Sequence, residues 1–522
     1  MLISIQGKLY SQEQIKPHAL HLLHQIESAY QTRQTKIKQY LKELNGQTVI
    51  PPPKLKWQST FVSSLFYQKI FFAYALLRKF LDKAFENLFD IETDNQALRL
   101  TLIKTLSHYI KTLNLKENLS QVLFYSLLSG YGLLYFDYDT KLKKLTLQTF
   151  NPLLTKITPD KNYLCITRYI PTIEAITKYN LEPSANLFYN LTTEEEETYH
   201  YLKNIYNDAI TRIDEIYGIL VIPPDDALLP AKFTILNKTD LISVEIFPDE
   251  EKPFVVDFLY GVDIQSSYAD LIFPYHVQDT ILTRTLLDTA ILSLTIGIEL
   301  DASSIDPDVS ITSLEPFQIV YKKSPEEVIR NFSLANFNPN VLPIRHLILQ
   351  EATNISAITE FVMGLPTSKG RPTAKEVMLK TQQSLQTLSV FIEKFETSFV
   401  SKTLEKLLYY ILKYEAPNLQ ELLTPKEFLI LSELKPIDIQ TRIKFKITSF
   451  SQILQKQEKL EKILSAVSLL SELNLAHAIN PITLLQELLI LLDLPQDLIN
   501  PQALLQPPQT EQNNTEQNNA EE

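Results

Sequence analysis

Three kinds of residue in this chain are chemically suggestive. Asp137, Asp139 and Asp160 surround a short hairpin, and carboxylates grouped in this way can hold Mg²⁺ as nuclease sites do. Turn chemistry accounts for Asp139 and Asp160 equally well, and no Lys or Glu completes a nuclease signature. Cys165 is the only cysteine and sits in an apolar strand pattern, Tyr163-Leu164-Cys165-Ile166-Thr167, so it reads as a buried structural thiol rather than a nucleophile. His18, His21 and His24 recur near one helical turn without carboxylates at ligand spacing, the pattern of a packed helix face. No catalytic residue, cofactor site or metal site is assigned, and the chain is read as non-enzymatic.

Charge is the second clue. The chain has 522 residues and a net charge of −12, but the acidity is local. Between Asp240 and Ser310 fourteen acidic side chains face only Lys252 and Arg284, so this block alone accounts for the whole net charge. Its candidate functional members are Asp279, Asp288, Glu299, Asp301, Asp306 and Asp308. A protein that grips DNA neutralises phosphates with Lys and Arg. An acidic face does the opposite, letting a duplex slide or attracting basic partners. An acidic solvated surface that only aids solubility fits equally well. The segment Thr367-Ser368-Lys369-Gly370-Arg371 is the contrasting feature, a short basic loop between Pro366 and Pro372.

Glycine excludes further functions. There are only 9 in the chain, and Gly130 and Gly132 are the only near neighbours. Dinucleotide and P-loop sites need clustered glycines so that backbone can approach phosphate, so both are excluded. The N-terminus lacks a signal-peptide pattern, and the most apolar stretch, 289–298, is too short for the ~20 residues of a spanning helix.

The elements that position these residues follow from periodicity and breakers. Helices are expected over 11–45, 57–86, 94–112, 115–128 and 172–179. Gly130 stops the fourth of these. Strands are expected over 133–138, 145–150, 163–170, 213–222, 231–236, 241–247 and 442–447. A helix of 274–296 starts at Pro274. The polar stretch that follows has one strand near Phe317–Tyr321, and a second helix runs over 343–363. Gly364 caps that helix. Thr373-Ala374-Lys375-Glu376 is a capping box that opens a helix reaching 415, with Leu385, Leu388, Ile392, Phe395 and Phe399 as its packing seam. Two helices, 451–474 and 481–492, precede a polar tail expected to be disordered.

Three segments in this order resemble the bacteriophage portal proteins, or head-to-tail connectors, most closely those of short-tailed phages. They are the helix ending at Gly130-Tyr131-Gly132 with its hairpin and Asn151-Pro152; Pro253-Phe254 through Tyr260-Gly261 into a helix; and Gly364 through Thr373-Ala374-Lys375-Glu376-Val377 into a long helix. The resemblance covers about 120–415. It implies an α+β, mainly α fold with a wing (1–263), a first stem helix region (264–296), a clip (297–342), a second stem helix (343–364), a channel loop (365–372), a long wing helix and strand (373–447), a helical crown (448–505) and a tail (506–522). It implies a homo-oligomeric ring, usually of twelve copies, at one capsid vertex of a virion, assembled in the host cytoplasm. Double-stranded DNA would pass along its axis. The terminase large subunit, a head-tail adaptor, and the major capsid and scaffolding proteins would be its partners, with no membrane. The alternatives are another neck or adaptor ring, or a cytosolic helical scaffold.

Overall fold

The computed structural model describes residues 2–5, 8–86, 89–93, 95–139, 143–182, 187–191, 210–222, 227–248, 252–260, 266–294, 296–300, 329–333, 339–358, 388, 391–434, 439, 443–447, 459, 463, 465–467 and 484. The fold is mixed α and β, helices predominate, and every pairing among the described strands is antiparallel. Contacts divide the chain into two units, Met1–Ile447 and Thr448–Glu522. The described residues of the second unit are helical.

In the first unit a hairpin of β1 (Leu2–Ile5) and β2 (Lys8–Ser11) leads into α1 (Gln12–Leu44). Ile15, Ala19, Leu22, Leu23 and Ile26 keep helical spacing and are buried. They lie on a five-stranded sheet, packing against Cys165, Ile216, Phe233, Ile235 and Leu241. That sheet has the order β10-β9-β8-β7-β6: β6 (Thr155–Ile157), β7 (Leu164–Pro171), β8 (Ile210–Ile222), β9 (Ala227–Leu236) and β10 (Asp240–Ile246). Further along α1, Tyr30 and Ile37 reach a second core with Tyr131, Leu133 and Phe258.

One carboxylate locks α1 to this sheet. Glu27 receives Lys156 Nζ at 2.6 Å and Arg212 Nη2 at 2.9 Å, with Lys238 at 3.5 Å. Burial alone would raise its pKa, but Lys156, Arg212 and Lys238 together hold it at about 2. The folded value lies below the unfolded one, so the stabilisation is complete above pH ~4.5 and is lost as pH falls toward ~2. With solvent screening at a carboxylate about a third exposed, its contribution is about 1–2 kcal/mol. Glu27→Gln is therefore expected to lower stability at pH 7 and to flatten its dependence between those pH values, as read by urea unfolding at a series of pH values.

α2 (Leu65–Glu86), β3 (Phe89–Glu92), α3 (Gln96–Thr112) and α4 (Leu115–Ser129) follow. Gly130 ends α4 at φ +85°, as its place in the sequence predicts. The chain then enters β4 (Tyr131–Asp139) and β5 (Lys144–Gln148), to which β11 (Phe254–Phe258) adds on the other edge of β4. Gly132 lies where a Cβ would come within 2.8 Å of Val122 and Leu259. The short helix α5 (Thr172–Tyr179) follows β7 at the expected residues.

Two long segments differ from expectation. The helix expected from Trp57 begins only at Leu65, where Ser63 Oγ accepts from Leu65 N, and residues 51–64 form a loop with a turn at Lys56–Trp57. The helix expected from Pro274 begins at Tyr268: α6 is Tyr268–Leu294, with Pro274 inside it. Ser267 Oγ accepts from Asp270 N and donates to the Asp270 carboxylate, a cap that sets the start six residues before Pro274.

β12 (Ile296–Leu300) pairs with β13 (Ile329–Ser333), and α7 (Val341–Ser356) returns along α6. α7 stops short of the expected Met363. Ala357 takes the left-handed conformation at φ 55°, Tyr268 Oη donates to Ser356 O, and the buried Lys69 of α2 donates to Ile358 O and to Thr353 Oγ1. A cation at a helix C-terminus is favourable because it meets the negative end of the dipole. The strand expected near Phe317–Tyr321, the loop 365–372, the capping box at Thr373 and Leu385 lie outside the described residues.

Leu388, Ile392, Phe395 and Phe399 of the expected seam are all buried. The helix there is π-helical over Phe395–Val400 and continues as α8 (Ser401–Tyr414), followed by α9 (Ala416–Leu422) and α10 (Pro425–Ser432). The wider turn keeps Phe395 and Phe399 stacked in the core while Ser398 reaches Asp257. β14 (Lys444–Ile447) pairs with β3.

Candidate functional site

α6 and α7 form an antiparallel pair joined beyond their ends by β12 and β13. Two contacts fix their register. Tyr268 Oη donates to Ser356 O at 2.8 Å, and Arg345 Nε donates to Asp279 Oδ1 at 2.7 Å. α2 packs on the side of α6 that carries Phe273 and His276, through Phe66 at ring distances of 5.4 and 6.0 Å. The buried His276 Nε2 lies 2.6 Å from Glu43 of α1.

Five acids of the block that lie among the described residues are engaged by partners. Asp279 is buried, accepting from Ser63 Oγ at 2.6 Å as well as from Arg345. Asp288 accepts from Ser59 N at 2.6 Å. Asp270 takes Arg33, Lys36 and Tyr40; burial would raise its carboxyl, but Arg33, Ser267 and Tyr40 hold it below the ordinary range. Asp257 is buried on β11 among Lys161, Ser398 and Lys402, and Asp240 pairs with Lys16. Asp279 thus lies buried against partners from distant parts of the chain, and half-buried Asp288 meets the backbone of Ser59. Glu299 lies on β12, opposite Arg330 in register. Asp301, Asp306, Asp308 and the loop residues Thr367, Ser368, Lys369, Gly370 and Arg371 lie outside the described residues.

With its four formal charges engaged, α6 presents an uncharged face. Leu271, Pro274, Gln278, Ile281 and Thr285 are exposed at helical spacing, on the side away from α2. α7 adds exposed Ile344 and Leu347 on its outer face, the latter with 58% of its surface accessible, and Leu342 on another side of its first turn. No sequence signal short of knowing the partners of Asp270, Asp279, Arg284 and Asp288 reveals that this helix is neutral outward.

The other suggestive residues resolve into structural roles. Asp160 caps a turn, accepting from Thr158 Oγ1, Asn162 N and Asn162 Nδ2, between β6 and β7, whereas Asp137 lies in β4 of the other sheet. Burial pushes the Cys165 thiol up to about 12, which disfavours the reactive thiolate. Among the described residues no group of three His, Cys, Asp or Glu is placed to hold a metal, and no helix is long and apolar enough to cross a membrane. The chain matches no protein-family model and no curated protein.

Proposed function

We propose that the protein is a phage portal: a ring at one capsid vertex, without catalytic activity of its own, through which double-stranded DNA is packaged and ejected. It would dock the terminase motor first and the tail adaptor afterwards, within a shell of capsid and scaffolding proteins. The observation that carries this reading is the antiparallel α6–α7 pair, joined by paired strands, in which the four formal charges of α6 are engaged by partners and apolar side chains of α6 are exposed. In this reading α6 and α7 are the stem, β12 and β13 belong to the clip, and the face of α6 opposite α2 lines the axis. A neutral lining holds no phosphate, so a duplex slides along it. The feature that lets DNA pass is thus the lack of cations on α6, not an excess of acids. Lys369 and Arg371, on the loop that follows the second stem helix, would supply the transient phosphate contacts.

A helical scaffold protein explains neither the five- and three-stranded antiparallel sheets nor the strand-linked helix pair. Purified full-length protein is expected to sediment as a closed oligomer of about twelve copies. A species that stays monomeric at micromolar concentration would contradict the proposal.

A further inference from the structure

The segment between α1 and α2 contains a clamped loop. Arg284 of α6 donates from Nη1 to Pro51 O and from Nε to Phe61 O, each at 2.7 Å, so one guanidinium holds both ends of residues 51–61. Inside the loop Gln58 N donates to Leu55 O and Leu55 N donates to the Gln58 side chain, while Ser59 N is fixed on Asp288. A compact loop with adjoining ends and its own internal bonds is an Ω-loop, a form frequently used for binding. Its tip is apolar and open to solvent: Leu55 is 52% exposed and Trp57, the only tryptophan, 42%. Lys54 and Lys56 flank it and are also exposed.

The loop and α7 lie on opposite flanks of α6. Loop contacts fall on Arg284 and Asp288, and α7 contacts on Tyr268 and Asp279. At 3.6 residues per turn the two stripes are roughly 170° apart. They also stand at the same height. The register set by Tyr268–Ser356 and Asp279–Arg345 puts Leu342 and Ile344 level with Ile281, within about 5 Å along the axis of the loop base at Arg284. Copies related by rotation about an axis parallel to the stem meet flank to flank at equal height. The outer face of α7 carries exposed Ile344 and Leu347 with a single acid, Glu351, at helical spacing, which complements an apolar tip flanked by two lysines.

We infer that the 51–61 loop docks, through Leu55 and Trp57, on the exposed face of α7 in the next copy of the chain. The contact is head-to-tail, the kind that closes rings, and it rests on the ring reading above. Tryptophan in a partly built pocket is a typical source of binding energy. Joint replacement of Leu55 and Trp57 by Ala is expected to raise the concentration for half-assembly by at least about 30-fold, without changing the unfolding of the single copy.

The decisive experiment is cysteine cross-linking of full-length protein, in which the native Cys165 is buried and silent. Leu55→Cys with Ile344→Cys in one chain is expected to give a ladder extending to the full ring, and a mixture of the two single variants only dimers. The Trp57 emission should move to shorter wavelength on assembly. Rings of normal size with no such cross-link would overturn the loop contact and leave the ring standing. A Leu55→Cys pair cross-linking to itself would assign the loop to a twofold contact and overturn the head-to-tail one. Native protein that forms no ring at all would overturn both.

Discussion

Gly130→Ala is expected to cost about 3–5 kcal/mol, enough to leave little folded protein when a domain's whole stability is about 5–15 kcal/mol. Two effects combine. Gly130 sits at φ +85°, where a residue with a Cβ loses about 1–2 kcal/mol. The added Cβ would also stand 2.2 Å from Ser266 O, a backbone atom that no rotamer change can move. Ser266 immediately precedes the cap of α6, and Gly130 O accepts from both Leu259 N and Tyr260 N, so neither side of the contact is free to retreat. The junction of α4 and β4 with the start of α6 is closed at this point, with no room for a Cβ. Gly46 is the natural control. Its φ is +78°, but nothing lies within 4 Å of the position of its Cβ. Gly46→Ala should therefore show only the conformational cost, about 1 kcal/mol. Urea unfolding of both variants measures the difference, and similar losses at the two sites would refute the close-approach argument.

Asp279→Ala is the second large effect, about 2–3 kcal/mol, because it leaves Ser63 without its buried acceptor and Arg345 without its partner. The upper range for buried pairs does not apply, since Arg345 keeps 34% of its side-chain surface and rehydrates. The damage is directional. Asp279 ties α6 both to the end of the loop before α2 and to α7, so its loss frees α7 while Tyr268 still holds the far end. Hydrogen exchange should report lost protection in 341–350 and retained protection in α1 and β7. Asp279→Asn keeps an acceptor for Ser63 and should recover about half of the loss. Uniform loss of protection across the chain would show that Asp279 serves the general core and not the helix pair.

Much of the body was readable from local pattern. Gly130 as a helix stop, α5 at Thr172–Tyr179, the three strands β8 to β10 and the buried seam at Leu388, Ile392, Phe395 and Phe399 follow from caps, turns and period. The α6 boundary was missed because Pro274 outweighed Ser267 and Asp270, although the Ser-x-x-Asp spacing was present. The electrostatics of the site were not legible by any local rule. Asp240, Asp257, Asp270 and Asp279 look unopposed in sequence, yet their partners Lys16, Lys161, Arg33 and Arg345 lie 224, 96, 237 and 66 residues away. Only the topology brings them together. The clamped loop at 51–61 was hidden for the same reason, since Arg284 looks like an isolated base in an acidic stretch.

The central claim is that α6 and α7 form the stem of a ring around a DNA channel. Electron microscopy of the purified full-length protein, at a resolution that separates helices, tests it most directly. The account predicts a closed ring with an axial hole, the uncharged face of α6 against that hole and the 51–61 loop between neighbouring copies. A particle without an axial hole, or a ring that carries α6 and α7 on its outer rim, would contradict it.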